Sequence, residues 1–314
     1  MVPLVLDASR PRGLSETSAP PGAELAGRLA SWWQSGPRAE RDALPWRATR
    51  DPWAVLVSES MLTQTQAARV AARYPDFLSA FPTPRVMARA GVAAVVRAWS
   101  GLGYNRRAVA LFRLAEQLVE RHGEAVPAHL DELLALPGVG AYIARAVLAF
   151  AFEEQVGVVD TNISRVLARA IAGAPLRAAP AQRLADSLVT GSPRDWNLAL
   201  MDLGALVCRA RDPRCAACPL AEHACAFDAA RRRGEAIEDP ARTSALAARR
   251  QAPFAGSDRE LRGRLLRVAC AGPVQLDASS FSDLDAARLA RAAEALVAEG
   301  LLALAEDGSL ALAQ

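Results

Sequence analysis

Two carboxylates, a glycine-rich turn and a loop of cysteines carry most of the chemistry open to this chain. The turn is Leu136-Pro137-Gly138-Val139-Gly140, between the helical stretch His129 to Ala135 and the apolar run Ala141 to Phe152. A Pro-Gly-Val-Gly turn between two helices presents amides of the turn and of the next helix's first turn to an anion such as phosphate. Gly138 and Gly140 are expected to supply positive φ and close backbone approach, while Pro137 ends the preceding helix. A plain αα-turn remains the alternative. Glu59 and Asp160 stand on either side of this turn in sequence. Alone, the first reads as a solvated glutamate near a helix end and the second as a helix N-cap. Beside a phosphate-binding turn they become a candidate pair.

Cys208, Cys215, Cys218 and Cys225 fall in one loop with spacings x6, x2 and x6, and only Cys270 lies elsewhere. Without signs of secretion, four clustered cysteines argue for a metal centre rather than disulfides. Zinc ribbons offer two close pairs and this loop has one, which favours an iron-sulfur cluster on four thiolates. Arg209, Arg211 and Arg214 lie in the first inter-cysteine loop, either as solvated charge or as phosphate contacts. Gly101-Leu102-Gly103-Tyr104, followed by Asn105-Arg106-Arg107, is a second tight loop. There an exposed ring can wedge or stack against bases and arginine can meet phosphate, although Tyr104 alone also reads as core.

The elements that must hold these residues are helical. Apolar spacing predicts helices over Ala23 to Gln34, Pro52 to Met61 (with Trp53, Leu56 and Val57 on one side), Ala67 to Ala80, Thr83 to Ala90 and Val92 to Ser100. Further helices are predicted from Arg106 to near Arg121, on both sides of the turn, after Asp160, and up to Val207. Residues 1–21 are rich in Pro, Ser and Gly and read as a disordered tail. Residues 229–256, with Arg231-Arg232-Arg233 and mixed charge, read as a linker. Ser257 and Glu260 have capping-box spacing and open a helix; a second covers Leu284 to Glu299, and Glu306-Asp307-Gly308 marks a hairpin. Residues 257–314 are therefore expected to form a small winged-helix-like unit, with packing or protein contact as its plain role.

The 314 residues, 52% hydrophobic, are ample for a core, and the net charge of +3 requires any nucleic-acid binding to come from local patches. No apolar run reaches membrane-spanning length and Met1 to Ala19 does not resemble a signal peptide, so a cytoplasmic protein without membrane contact is expected. The sequence contains no lysine; all 37 basic side chains counted as Lys and Arg are arginine. Schiff-base catalysis through a side-chain amine is thereby excluded.

Taken together, Leu44-Pro45-Trp46-Arg47, the segment Ser58-Glu59-Ser60-Met61-Leu62-Thr63-Gln64-Thr65-Gln66, Gly101 to Tyr104, the glycine turn, Val159-Asp160-Thr161-Asn162, Met201-Asp202-Leu203-Gly204 and the cysteines resemble one family. It is the helix-hairpin-helix DNA glycosylases with an iron-sulfur loop, and within them the MutY-type adenine glycosylases. The resemblance covers residues 22–228. It implies a two-lobed all-α fold, with a six-helix barrel module over about 50–160 and a [4Fe-4S] cluster in the loop 208–225. It also implies a base-excision enzyme acting as a monomer on double-stranded DNA with a mismatch or oxidised base, associated with the nucleoid of a bacterial cytoplasm. Glu59 would protonate the purine ring of a flipped adenine opposite 8-oxoguanine or guanine, and Asp160 would stabilise the oxocarbenium ion. That division of labour agrees with the two-carboxylate chemistry of glycoside hydrolysis. Tyr142 falls where strand-cleaving relatives of the endonuclease III type keep a catalytic lysine, and Asn162 matches the active-site amide. Gln64 and Tyr104 match positions that probe and wedge the stack beside an extruded base.

The sequence departs from the family in three places. Thr63 stands where a first Gln of a Gln-Gln pair is common. The last cysteine spacing is one residue longer than usual, with His223 nearby as an alternative ligand. The C-terminal segment does not resemble the Nudix-like domain that reads 8-oxoguanine. Competing readings are a thymine or uracil glycosylase for mismatches with G and a non-catalytic DNA-damage binder; the latter has no need of either carboxylate.

Overall fold

The protein is described by a computed structural model over residues 21–221, 225–244, 246, 253–276, 281 and 284–314. The expected tail 1–21 falls outside these apart from Pro21, as does His223. Among the described residues the regular elements are helical as far as residue 298 and are followed by one small sheet.

The central element is α3 (Pro52–Leu62), which Asp51 caps by accepting from the Ala54 amide at 2.7 Å. Residues Trp53 to Met61 are buried without a break, so the expected one-sided helix is instead enclosed all round. It packs against α4 (Ala67–Ala71), α5 (Tyr74–Ala80), α7 (Arg106–Arg121) and α9 (Ala141–Ala151). The helix expected over Ala67 to Ala80 is divided in two, because Pro75 in the first turn of α5 cannot continue the hydrogen bonding of α4. The two helices expected around Gly91 are joined as α6 (Pro84–Ala98), kinked at that glycine, whose φ is 78°. The helix α8 (Leu130–Leu134) leads through the glycine turn into α9.

A second lobe joins the two ends of the catalytic region. Helices α1 (Pro21–Gln34) and α2 (Pro37–Asp42) lie against α12 (Pro193–Asp202), which also packs on α10 (Thr161–Val166). Helix α10 continues into a π-helical turn, Leu167–Ala172, and α12 into another, Leu203–Val207; α11 (Ala178–Leu188) lies between them in the chain. Both π-turns abut the cysteine loop.

The segment expected as a linker is anchored over its described first part. Helix α13 (Ala226–Arg232) packs on the first π-turn, the Asp239 carboxylate takes Arg169 at 2.6 Å, and Ser244 Oγ accepts from the Leu176 amide at 3.0 Å. Buried Arg169 needs a counter-charge, and composition alone does not reveal that this stretch supplies it. Beyond it, α14 (Asp258–Ala271) and α15 (Ala286–Ala298) precede the antiparallel pair β1 (Leu302–Leu304) and β2 (Leu310–Leu312). These are the two helices and hairpin expected. Gly300, after α15, sits against Val109 and Arg113 of α7, which docks this C-terminal unit on the barrel.

Candidate active site

Glu59 projects from α3 and Tyr142 from the first turn of α9. The Tyr142 hydroxyl donates to Glu59 Oε2 at 2.7 Å. Glu59 is 4% exposed, and burial raises its pKa to about 7 against the pull of Tyr142 and the Arg47 charge. Burial also lifts the Tyr142 phenol well above its ordinary range, so it remains a donor. One Glu59 oxygen is thus committed to Tyr142, which leaves Oε1 to carry a proton.

Asp160 is the N-cap of α10, its Oδ1 accepting from the Ile163 amide at 2.6 Å, while Oδ2 accepts from Asn162 Nδ2 at 2.9 Å. Capping therefore orients the carboxylate rather than competing with chemistry. Burial pushes its pKa up; the bonds from Ile163 and Asn162 and the Arg165 charge oppose that. Arg165 extends the network by donating to Asn162 Oδ1 at 2.8 Å, Gly204 O at 2.6 Å and Cys208 O at 2.6 Å. A continuous hydrogen-bonded chain links the carboxylate to the first cysteine of the loop. Gly204 makes this approach possible, since a Cβ there would stand 2.6 Å from Asn162 Cβ.

Glu59, Tyr142, Asp160, Asn162 and Gln64 line one cleft of about 600 Å³. Its back wall is a layer of arginine that sequence reasoning missed. Arg47, its side chain 5% exposed, makes a two-pronged pair with Asp202 at 2.8 and 3.0 Å; Arg41 and the Trp33 indole add bonds at 3.1 and 2.8 Å. Arg194 donates to Arg47 O at 2.6 Å and to Phe150 O at 2.7 Å. The available signal was Arg47 itself, a charge directly following Leu44-Pro45-Trp46.

Tyr104 lies outside this cleft, on an adjoining groove that also includes Gln64. Both have left-handed backbones, φ 59° for Gln64 and 48° for Tyr104, in loops held by Arg107. Arg107 donates to the Ser60, Met61 and Thr63 carbonyls at 2.8, 2.9 and 2.5 Å, to Thr65 Oγ1 at 2.8 Å and to Gly103 O at 3.0 Å. It was read from sequence as an arginine suited to phosphate; its donors are instead used to fix the two loops, and burial lowers its pKa to about 10.

The glycine turn lies outside both spaces. Gly138 has φ 77°, and a Cβ there would come within 2.8 Å of Ala110 Cβ on α7, so both reasons for glycine apply. Gly140 does not supply the expected positive φ; it is extended, at φ −96°, as N-cap of α9, with no side chain capping that end. The Val139 amide closes the turn on Leu136 O at 3.2 Å.

Cys208, Cys215, Cys218 and Cys225 are half-buried free thiols lining one apolar pocket with Val207, Leu220 and Phe227. Burial raises the Cys218 thiol to about 12, with neighbouring cysteines adding to the rise. Arg169 points a donor at Cys208 Sγ, 3.5 Å away. Among the described residues no three potential ligands are grouped closely enough to hold a metal ion. The four thiols line one pocket beside the buried Arg169 guanidinium, a donor set suited to an anionic thiolate group. Arg209 closes its loop by donating to Asp212 O at 2.8 and 3.1 Å, while Arg211 and Arg214 are exposed.

Comparison with known proteins agrees with this arrangement. Residues 57–184 match the HhH-GPD superfamily of base excision DNA repair proteins. The adenine DNA glycosylase of Mycobacterium tuberculosis is 42% identical over 291 residues, covering 90% of this chain and 86% of that one. The thymine/uracil-DNA glycosylase of Pyrobaculum aerophilum is 34% identical over 226 residues, covering 69% and 94%. A thermostable thymine-DNA glycosylase structure superposes with TM-score 0.60 at 29% identity, over 67% of this chain and 97% of that one. The chain belongs to the HhH-GPD superfamily and, within it, to the MutY-type adenine DNA glycosylases.

Proposed function

We propose that this base excision repair glycosylase removes adenine mispaired with 8-oxoguanine or guanine, hydrolysing the N-glycosidic bond without a lysine-dependent lyase step. The observation that carries the reading is the buried acid Glu59, its pKa raised to about 7 and one oxygen engaged by Tyr142. A purine is a poor leaving group that a proton on a ring nitrogen makes a good one, and adenine offers such a basic nitrogen where thymine does not. Glu59 Oε1 gives that proton as the C1′–N bond breaks and its electron pair leaves with the base. Asp160, held by Ile163 and Asn162, stays charged beside the oxocarbenium ion. Water then adds to C1′ and returns its proton to a carboxylate. The family resemblance puts Tyr142 where strand-cleaving relatives keep a lysine, and the chain has no lysine to replace it.

Gln64 and Tyr104 probe and wedge the stack, the α9 end of the glycine turn takes a backbone phosphate, and Arg211 and Arg214 add charge beside it. Arg209 serves the loop more than the DNA. Cys208, Cys215, Cys218 and Cys225 would hold a [4Fe-4S] cluster, which supplies a rigid cross-link for the loop. Preparations should carry iron and inorganic sulfide in equal amounts, and Cys218→Ser should lower both while releasing the loop to proteolysis. Iron unchanged in that variant contradicts the ligand set.

The deciding experiment is single-turnover base release from duplexes carrying A opposite 8-oxoguanine, A opposite G, T opposite G and U opposite G, with and without alkali. Adenine release, fastest opposite 8-oxoguanine and visible as strand breaks only after alkali, is expected. Release of T or U alone would move the protein toward the thymine/uracil relatives, and breaks without alkali would overturn the lyase-free step.

A further inference from the structure

Asp160 follows a short non-helical segment, Val156 to Val159, with which no strand among the described residues pairs. The backbone groups of this segment are nevertheless bonded on alternate sides, as a strand's are. On one side stands Asn197 of α12, 1% exposed. Its Oδ1 accepts from the Val158 amide at 2.8 Å, and its Nδ2 donates to Val156 O at 3.0 Å and to Pro193 O at 2.8 Å. On the other side is α11, where Asp186 Oδ1 accepts from the Gly157 amide at 2.8 Å and Gln182 Nε2 donates to Gly157 O at 2.8 Å. Arg145 of α9 holds Asp186 Oδ1 at 2.7 Å. A Cβ at Gly157 would stand 2.5 Å from the Ala185 backbone, so only glycine lets α11 come this close. A single side-chain amide thus does for Val156 and Val158 what a neighbouring strand would do.

We propose that Asn197 is a positioning residue for the reaction: through Val156 and Val158 it sets where the Asp160 carboxylate stands relative to Glu59. The inference rests on the reading of Asp160 as the charge beside the oxocarbenium ion. The bonds that Asp160 accepts from Ile163 and Asn162 fix it on its own helix, α10. Helix α12 relates that end of α10 to the acid. It packs on α9, whose Tyr142 holds Glu59, and its Asn197 holds the chain two residues before Asp160. Stabilisation of a developing cation by a carboxylate depends on a fixed separation, and a misplacement of about 1 Å costs about 10²-fold in rate. The bonding pattern calls for an amide, since a carboxylate lacks the donors and an aliphatic side chain lacks donors and acceptor alike.

The test uses the full chain and two duplexes that bind without turnover. Opposite guanine, one carries a neutral tetrahydrofuran and the other a pyrrolidine whose protonated nitrogen stands at C1′, where the oxocarbenium charge develops. Wild type should prefer the cation, and Asn197→Ala should cut that preference about tenfold or more while its affinity for the tetrahydrofuran duplex stays within about threefold. Single-turnover base release at saturating enzyme should fall about 10²-fold. Asp186→Ala loosens the other side of the segment from a position 36% exposed, and should cut the preference about threefold. A cation preference unchanged in folded Asn197→Ala overturns the proposal; where that variant does not fold, an unchanged preference in Asp186→Ala does so. Equal loss of affinity for both duplexes, the mark of a merely structural residue, overturns it as well. Asp160→Asn separates the two levels of the argument. If it abolishes the preference while Asn197→Ala keeps it, Asp160 retains its role and positioning by Asn197 fails. If Asp160→Asn leaves the preference intact, the reading of Asp160 fails and takes the inference with it.

Discussion

Glu59→Gln should slow adenine release about 10²- to 10⁴-fold, and the residual rate should lose its pH dependence across neutrality. The folded-state pKa of about 7 lies above the ordinary 4.5, so the wild-type acid is largely protonated below neutrality and loses its proton above it. Single-turnover release should therefore fall about tenfold per pH unit on the alkaline side. Linkage gives the opposite sign for stability of the variant. A carboxyl with a raised folded pKa contributes stability that is present below about 4.5 and lost as pH rises through about 7. Wild type is penalised at pH 8 by at most about 3 kcal/mol through this group, and Glu59→Gln removes the penalty. Melting of the variant should exceed that of wild type above neutrality and approach it in mild acid. A variant as active as wild type, with an unaltered alkaline limb, contradicts the assignment of Glu59 as the acid.

The parts of this site legible in the sequence are those whose chemistry is local. Asp160 precedes a helix start, Gly138 sits in a turn that only glycine closes, and the four cysteines fall within eighteen residues. The family resemblance extends that reading to Glu59 and Tyr142, whose meeting across 83 positions no periodicity announces. The arginine hubs escaped because arginine read one residue at a time is a solvated charge. Arg107 reaches carbonyls 44 to 47 positions away, and Trp33 meets Asp202 across 169. Their partners are backbone carbonyls and single carboxylates, which have no compositional signature. Gly140 differs for a related reason: its conformation is set by the start of α9 rather than by the turn. The same limit applies to residues 229–244, where one aspartate, Asp239, ties a linker-like stretch to Arg169.

The second large effect is expected at Asp202, a fully buried carboxylate that receives Trp33, Arg41 and Arg47 and so fastens the N-terminal segment to α12. Asp202→Ala leaves the Arg47 guanidinium buried without a counter-charge and should cost about 3–5 kcal/mol. For a chain of this size that lowers the melting temperature by roughly 10 °C. The exposed pair Arg28–Glu24 is the control, where Arg28→Ala should change stability by less than about 1 kcal/mol. Asp202→Asn separates electrostatics from packing: it keeps the shape and an acceptor for Trp33 while removing the negative charge. Arg47 already lowers the pKa of Glu59, and its charge would then act without the compensating carboxylate. The Glu59 pKa should fall, so the alkaline limb of the base-release profile moves to lower pH and the rate at neutrality drops. If Asp202→Asn melts lower but keeps the wild-type pH profile, the buried arginine layer serves folding alone. A profile shifted to lower pH in well-folded variant protein makes it part of the tuning of the acid.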